Sequence, residues 1–291
     1  MRSALSDFEL REPGSLTDAL EILASEPGQW RPFAGGTDLM VLLQAGKLPA
    51  ARYLSLWRIP ELRGIEVSAD TIVLGALTTY SDVLRSTVLQ DECPLICRAA
   101  AETGGVATQN RGTIGGNVAN ASPAADTPPA LLVYDAVLDL MSVRGMRRVP
   151  YDRFHQGYKR MDLAPDELIR AVHVVRGRGA WRHGWRKVGT RRAQAISKIC
   201  FASAIDVHPS TGAVRDIRLA FGSVAPTVVR ATHTESVIRS QELTPDTIQA
   251  ARTALARDIT PIDDIRSTAE YRLRVAGNVT VEFLEASKVS R

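Results

Sequence analysis

The chain has 291 residues, 45% of them hydrophobic, and a formal net charge of +4. That is enough apolar material for a full core, and at roughly 150 residues per domain it suggests two domains. The weak positive balance argues against nucleic acid, no apolar run is long enough to enter a bilayer, and the charged opening "MRSALSDFEL" lacks the apolar region of a signal peptide, so a cytoplasmic protein is expected.

In chain order, "FELREP" is a short extended piece leading to an amphipathic helix over 16–26, capped by Ser15, with Leu16, Leu20 and Leu23 on one face. "WRPFAGGTDLMVLLQAGK" reads as a strand, a turn at Gly35 and Gly36, and a helix starting near Thr37 or Asp38 and stopping at Gly46. A strand in "ARYLSLW" completes a β-α-β-α-β unit over about 1–58. "GIEVSADTIVLGALT" alternates like a hairpin around 68–70, and Thr79 with Asp82 forms a capping-box pattern.

A helix over 94–103 ends at Gly104 and Gly105. A stretch of small residues follows, "QNRGTIGGNVANASPAADTPP". "TPPALLVYDAVLDLMSV" then reads as helix and strand, and "DELIRAVHVV" as a strand. "RGRG" at 176–179 is the expected domain boundary, dividing 1–176, with parts at about 1–58 and 59–176, from 177–291. Beyond it, "WRKVG", "ISKICFASAIDV" and "VRDIRLAFGSV" with a turn at 210–212 predict a three-stranded antiparallel sheet. Helices at 234–240, 245–257 and 268–286 complete an α+β domain. The last carries Ala269, Leu273, Ala276, Val279 and Phe283 as a core stripe.

The chemistry centres on "FAGGTDL" and "GTIGGN". Each pairs glycines with a threonine, and successive backbone N–H groups at such turns make anion-binding concavities. Two in one domain argue for a diphosphate clamp, although neither G-x-x-x-x-G-K-[ST] nor G-x-G-x-x-G is present. Asp38 and Asp126 each also stand where a carboxylate would cap a helix. Cys93, Cys97 and Cys200 read as buried thiols of a reducing compartment and are too few for an iron–sulfur cluster, which needs four ligands. His155, His173, His183, His208 and His233 are scattered, with no catalytic triad or metal set. Residues 168–205 hold nine basic residues and no acidic one, either a solvated loop or a face for anions or a partner.

"AGGTDL", "RGTIGGNVANASPAAD", "LAFGSVAPTVVRA" and "STAEYR", in this order over nearly the whole chain, resemble the FAD-binding medium subunit of the xanthine dehydrogenase family of molybdenum hydroxylases. The resemblance implies an α+β protein: a two-part flavin fold of the vanillyl-alcohol oxidase and p-cresol methylhydroxylase type, plus the C-terminal sheet domain. It implies FAD held by Pro32, Phe33, Ala34, Gly35, Gly36, Thr37, Asp38 and Leu39, and by Gly112, Thr113, Ile114, Gly115, Gly116 and Asn117. Gly115 and Gly116 would lack Cβ so that their amides approach the phosphates. The family's acidic residue at the adenosine end matches Asp126, its apolar residue beside the flavin Ile169, and its lysine at the flavin Lys187.

No His, Cys or Tyr stands in the two loops, so the FAD is expected to be noncovalent. The implied partners are a large molybdopterin subunit, where an N-heterocycle or aldehyde is oxidised, and a small [2Fe–2S] subunit, with NAD⁺ or another acceptor receiving the electrons. One departure is Thr103, where animal xanthine dehydrogenases carry an aromatic. The alternatives are a stand-alone flavin oxidase, for which no base is evident, and a non-enzymatic nucleotide-binding module.

Overall fold

The computed structural model describes residues 8–48, 52–191 and 194–289. Its first sheet is parallel, in the order β1-β3-β2, from β1 (Glu9–Arg11), β2 (Arg31–Phe33) and β3 (Arg52–Ser55). Helix α1 (Leu16–Ser25) connects the first two strands, and Ser15 accepts a hydrogen bond from the Asp18 N–H to cap it. Leu16, Leu20 and Leu23 are buried against Leu54 and Trp30, as the periodicity requires. Between β2 and β3 lies α2 (Leu39–Gln44), whose apolar side chains include none that is fully buried.

The second sheet runs β4-β5-β10-β6-β7. It comprises the predicted hairpin β4 (Ile65–Val67) and β5 (Thr71–Gly75), a second hairpin β6 (Val137–Ser142) and β7 (Gly145–Pro150), and the central strand β10 (Leu168–Val175). Helices α3 (Tyr80–Arg85), α4 (Thr87–Glu92), α5 (Pro94–Glu102), α6 (Val106–Gln109), α7 (Ile114–Asn120) and α8 (Thr127–Val133) lie between its strands in sequence. Thr79 and Asp82 form the full capping box of α3. Short α9 (Tyr151–Phe154) leads to a small hairpin of β8 (His155–Gly157) and β9 (Arg160–Met161).

The C-terminal sheet has four strands rather than the expected three, in the order β11 (Arg182–Val188), β12 (Ile199–Val207), β13 (Val214–Gly222) and β14 (Val229–Arg230). The added strand is two residues long, too short to leave an alternating pattern. Helices α10 (Thr232–Ile238), α11 (Pro245–Ala254) and α12 (Ala269–Ala286) cover one face. Of the expected stripe on α12, Ala276, Val279 and Phe283 are buried, whereas Leu273 is exposed. Phe283 reaches Phe201 with ring centroids 6.0 Å apart. Gly184 makes room for it, since a Cβ there would lie 2.5 Å from the Phe283 ring. The other face presents Ala202, Ala204 and Ala220, which join the same core as Leu131 and Leu132 of α8.

Candidate functional site

The first glycine loop leaves the C-terminal end of β2 and turns into α2. Gly36 has φ +77°, where a side chain is strained, and a Cβ on it would meet the Phe33 ring at 2.8 Å. Gly35 has a different constraint: a Cβ there would lie 1.6 Å from the Arg111 carbonyl oxygen. The first loop therefore touches the second, backbone to backbone. Among the described residues, the N–H groups of Ala34, Gly35, Gly36, Thr37 and Asp38 have no acceptor within the protein. Backbone donors normally find partners, so this run forms a cradle of successive free amides. Asp38 does not cap α2; its carboxylate accepts from Asn120 Nδ2 at 3.3 Å. The Lys159 ammonium holds Asn120 Oδ1 at 2.7 Å.

In the second loop, Thr113 caps α7, accepting from the Gly116 N–H at 3.0 Å. The Gly115 N–H donates to the Ala76 carbonyl at 2.9 Å, and the Asn117 N–H to the Thr113 carbonyl. These amides are engaged internally, which corrects the expectation that Gly115 and Gly116 are bare to free them for phosphate. Gly115 is bare because a Cβ would lie 2.6 Å from the Ala76 side chain; Gly116 would strike Thr113 Oγ1 at 2.7 Å. Asn117 Oδ1 is buried without a hydrogen-bond partner.

Between the loops lies a cavity of about 320 Å³. Of the sequence-predicted residues, it is lined by Pro32, by Ala34, Gly35, Gly36, Thr37, Asp38 and Leu39, by Gly112, Thr113, Gly115, Gly116 and Asn117, and by Ile169. Phe33 and Ile114 support it without lining it: Phe33 packs on Tyr53, and Ile114 is fully buried in the core. Sequence reasoning missed Arg31, Leu77, Tyr80 and Leu168, which also line it, and noted Thr103 only as a departure. Tyr80 is buried beneath Gly112 with its hydroxyl beside those of Thr127 and Thr103, and burial pushes its phenol well above the usual value.

Asp126 and Lys187 do not line this cavity. They form a buried pair, Lys187 Nζ to Asp126 Oδ2 at 2.7 Å, completed by the Ser197 hydroxyl and the Glu102 carbonyl. Burial raises the Asp126 carboxyl, against the opposing pull of Lys187. Two groups in contact cannot mark opposite ends of an extended dinucleotide, so the assignments of Asp126 to adenosine and Lys187 to flavin do not both hold as stated. Their contact was invisible in the sequence because it joins two domains.

The basic run is largely engaged within the chain. Arg170 and Asp139, Arg176 and Glu92, Arg178 and Asp135, and Arg186 and Glu282 form ion pairs. Arg182 and Arg191 donate to carbonyls of Lys288 and Gln194, and the Lys198 ammonium stands over Tyr271; Arg192 lies outside the described residues. His155 bonds the Val118 carbonyl, His173 bonds Asp139 and His233 bonds Asp258. Among the described residues no group of three His, Cys, Asp or Glu could hold a metal, and no helix is long and apolar enough to cross a membrane.

A cradle of free amides facing a cavity, with buried polar atoms of Asn117 and Tyr80 beside it, fits a phosphate-bearing cofactor. Residues 6–174 match the family described as FAD binding domain in molybdopterin dehydrogenase, and 186–287 match the CO dehydrogenase flavoprotein C-terminal domain. The chain therefore belongs to the FAD-binding medium subunits of molybdopterin dehydrogenases, a class of multi-subunit oxidoreductases.

Within that class it is 31% identical to the xanthine dehydrogenase FAD-binding subunit of Escherichia coli O157:H7, over 93% of this chain and 92% of that one. It is 30% identical to the glyceraldehyde dehydrogenase medium chain of Sulfolobus acidocaldarius, over 95% and 96% of the two. A solved carbon monoxide dehydrogenase from Hydrogenophaga pseudoflava, lacking the Mo-pyranopterin moiety of its molybdenum cofactor, matches with a TM-score of 0.90 at 29% identity, covering 96% of each chain.

Proposed function

We propose that this chain carries noncovalent FAD between its two glycine loops and passes electrons from [2Fe–2S] clusters on a small subunit to NAD⁺ or another acceptor. The substrate, an N-heterocycle such as xanthine or an aldehyde, is oxidised on a large molybdopterin subunit. Bound FAD supplies the redox chemistry, taking up and giving up electrons. The protein's part is binding and electrostatics. The amides of 34–38 hold the diphosphate, Asn117 and Tyr80 offer polar contacts, and Ile169 with Leu168 excludes water from one wall. Lys187, whose ammonium donates to the carbonyl of Glu102 next to the cavity-lining Thr103, is held in place by Asp126.

The observation that carries this reading is the run of acceptor-free amides facing the cavity. The reading also divides the chain near residue 176, which the two family matches support by ending at 174 and beginning at 186. Unpaired Cys93 and Cys200 are in keeping with a cytoplasmic location.

The test is reconstitution. Acid precipitation of the purified chain should release all of its FAD. The loaded chain should show no flavin reduction by xanthine or aldehydes until both partner subunits are added. Flavin that stays with the pellet would refute noncovalent binding, and reduction without partners would make the protein a stand-alone oxidase.

A further inference from the structure

Arg111 and Trp57 lie outside the set of residues lining the cavity, yet they join its two walls. Trp57 follows β3 at the end of the first sheet, and Arg111 immediately precedes Gly112 and Thr113. The Arg111 guanidinium carbon stands 3.7 Å from the Trp57 ring centroid, and that of Arg63 stands 4.5 Å from the same ring. Arg111 Nε donates to the Gly35 carbonyl at 3.5 Å, and the Arg111 carbonyl is the atom that forbids a Cβ on Gly35. One residue thus meets the first loop with backbone and side chain together while stacking on the indole behind it. Among the described residues no carboxylate pairs with this exposed guanidinium.

We propose that the Arg111–Trp57 stack is a clamp that fixes the separation of the two glycine loops, and that affinity for a nucleoside diphosphate group depends on it. The inference rests on the reading that the FAD diphosphate lies between those loops. The free amides of 34–38 form one wall, and they can hold a phosphate well only if the opposite wall stays at a constant distance. Tryptophan is the strongest aromatic partner for a guanidinium, and a planar guanidinium stacks where an ammonium cannot. Arg111 is a positioning residue in this scheme; its charge acts on the indole rather than on the ligand.

The experiment titrates FAD and ADP, which carries the diphosphate without the flavin, into the full-length apoprotein. It compares the wild type with Arg111→Met, Trp57→Leu, the double variant and Arg111→Lys. Each single change should weaken both ligands by about five- to tenfold. The double variant should be no weaker than the worse single one, and Arg111→Lys should recover part of the loss. A loss with Arg111→Met but none with Trp57→Leu would overturn the clamp in favour of direct guanidinium–phosphate contact. Additive losses, or none, would overturn it as well. Should Trp57→Leu fail to fold, Trp57→Phe takes its place with a smaller expected loss. A wild-type chain that binds neither ligand would remove the cofactor placement itself, whereas unchanged variants beside a binding wild type remove only the clamp.

Discussion

Gly35 and Arg111 meet where two loops from different sheets touch, and nothing larger than a hydrogen fits between them. A Cβ placed 1.6 Å from a backbone carbonyl cannot be relieved by a rotamer change, so the loops must part. Gly35→Ala should therefore cost more than the about 1–3 kcal/mol of ordinary overpacking, and should abolish FAD retention in the purified protein. A Cβ on Gly116 would meet side chains rather than a neighbouring backbone, the Thr113 hydroxyl at 2.7 Å and Ala34 at 3.7 Å, so Gly116→Ala should retain more flavin than Gly35→Ala. The motifs marked these glycines, but a sequence does not show which backbone comes close to which, so it assigned Gly115 and Gly116 the wrong reason. The Asp126–Lys187 pair makes a second case at this scale. Lys187→Met strands a buried carboxylate and should lower stability by about 3–5 kcal/mol in denaturant titrations of the apoprotein. Adding Asp126→Asn should recover part of that loss, and full additivity would show that the two do not act as a pair.

Helix α7 spans seven residues, Ile114–Asn120, too few to persist alone, so its start must be held by neighbours. Thr78 and Ala76 supply backbone acceptors and Thr113 supplies the cap. Thr113→Ala should cost about 1 kcal/mol and weaken FAD binding in step, while Thr113→Ser should restore both, as read by thermal unfolding and flavin titration. Elements announced by caps were legible in the sequence for this reason: Ser15 and Thr79 each make the hydrogen bond their position implies, whereas α7, which Thr113 caps, was hidden in a stretch read only as small residues. Elements without such signals were not legible either. β7, "GMRRVP", carries charge where alternation would show, and β14 has only two residues. The position of Leu273 on α12 follows helical spacing yet faces outward, because periodicity gives a stripe and not its width.

Across the whole molecule, α5 and α8 of the flavin domain press on β11 to β13, and His183 sits at that seam, its ring 6.1 Å from that of Tyr134. Burial, with the Arg98 charge, pushes the His183 imidazole down to about 4. Burial lowers His155 too. A histidine whose folded value is depressed contributes stability that is complete above its ordinary 6.5 and is lost as the pH falls toward 4. The melting temperature should therefore be flat above that value and decline below it, and His183→Gln should flatten the decline; an unchanged slope would remove His183 as its source. The Asp135 carboxyl, raised by burial but drawn net below its usual value by Arg230 and Arg178, acts at lower pH. The same cluster bears on how this chain meets others. Most of the cations in 168–205 already face carboxylates of their own chain, Arg170, Arg176, Arg178, Arg186 and Lys187 among them. Opposite charges this close cancel within a few ångströms, leaving little field to reach an approaching surface across a screening length of about 10 Å at 0.1 M salt. Encounters on this side would then be governed by shape and by diffusion, with an association rate nearly indifferent to ionic strength.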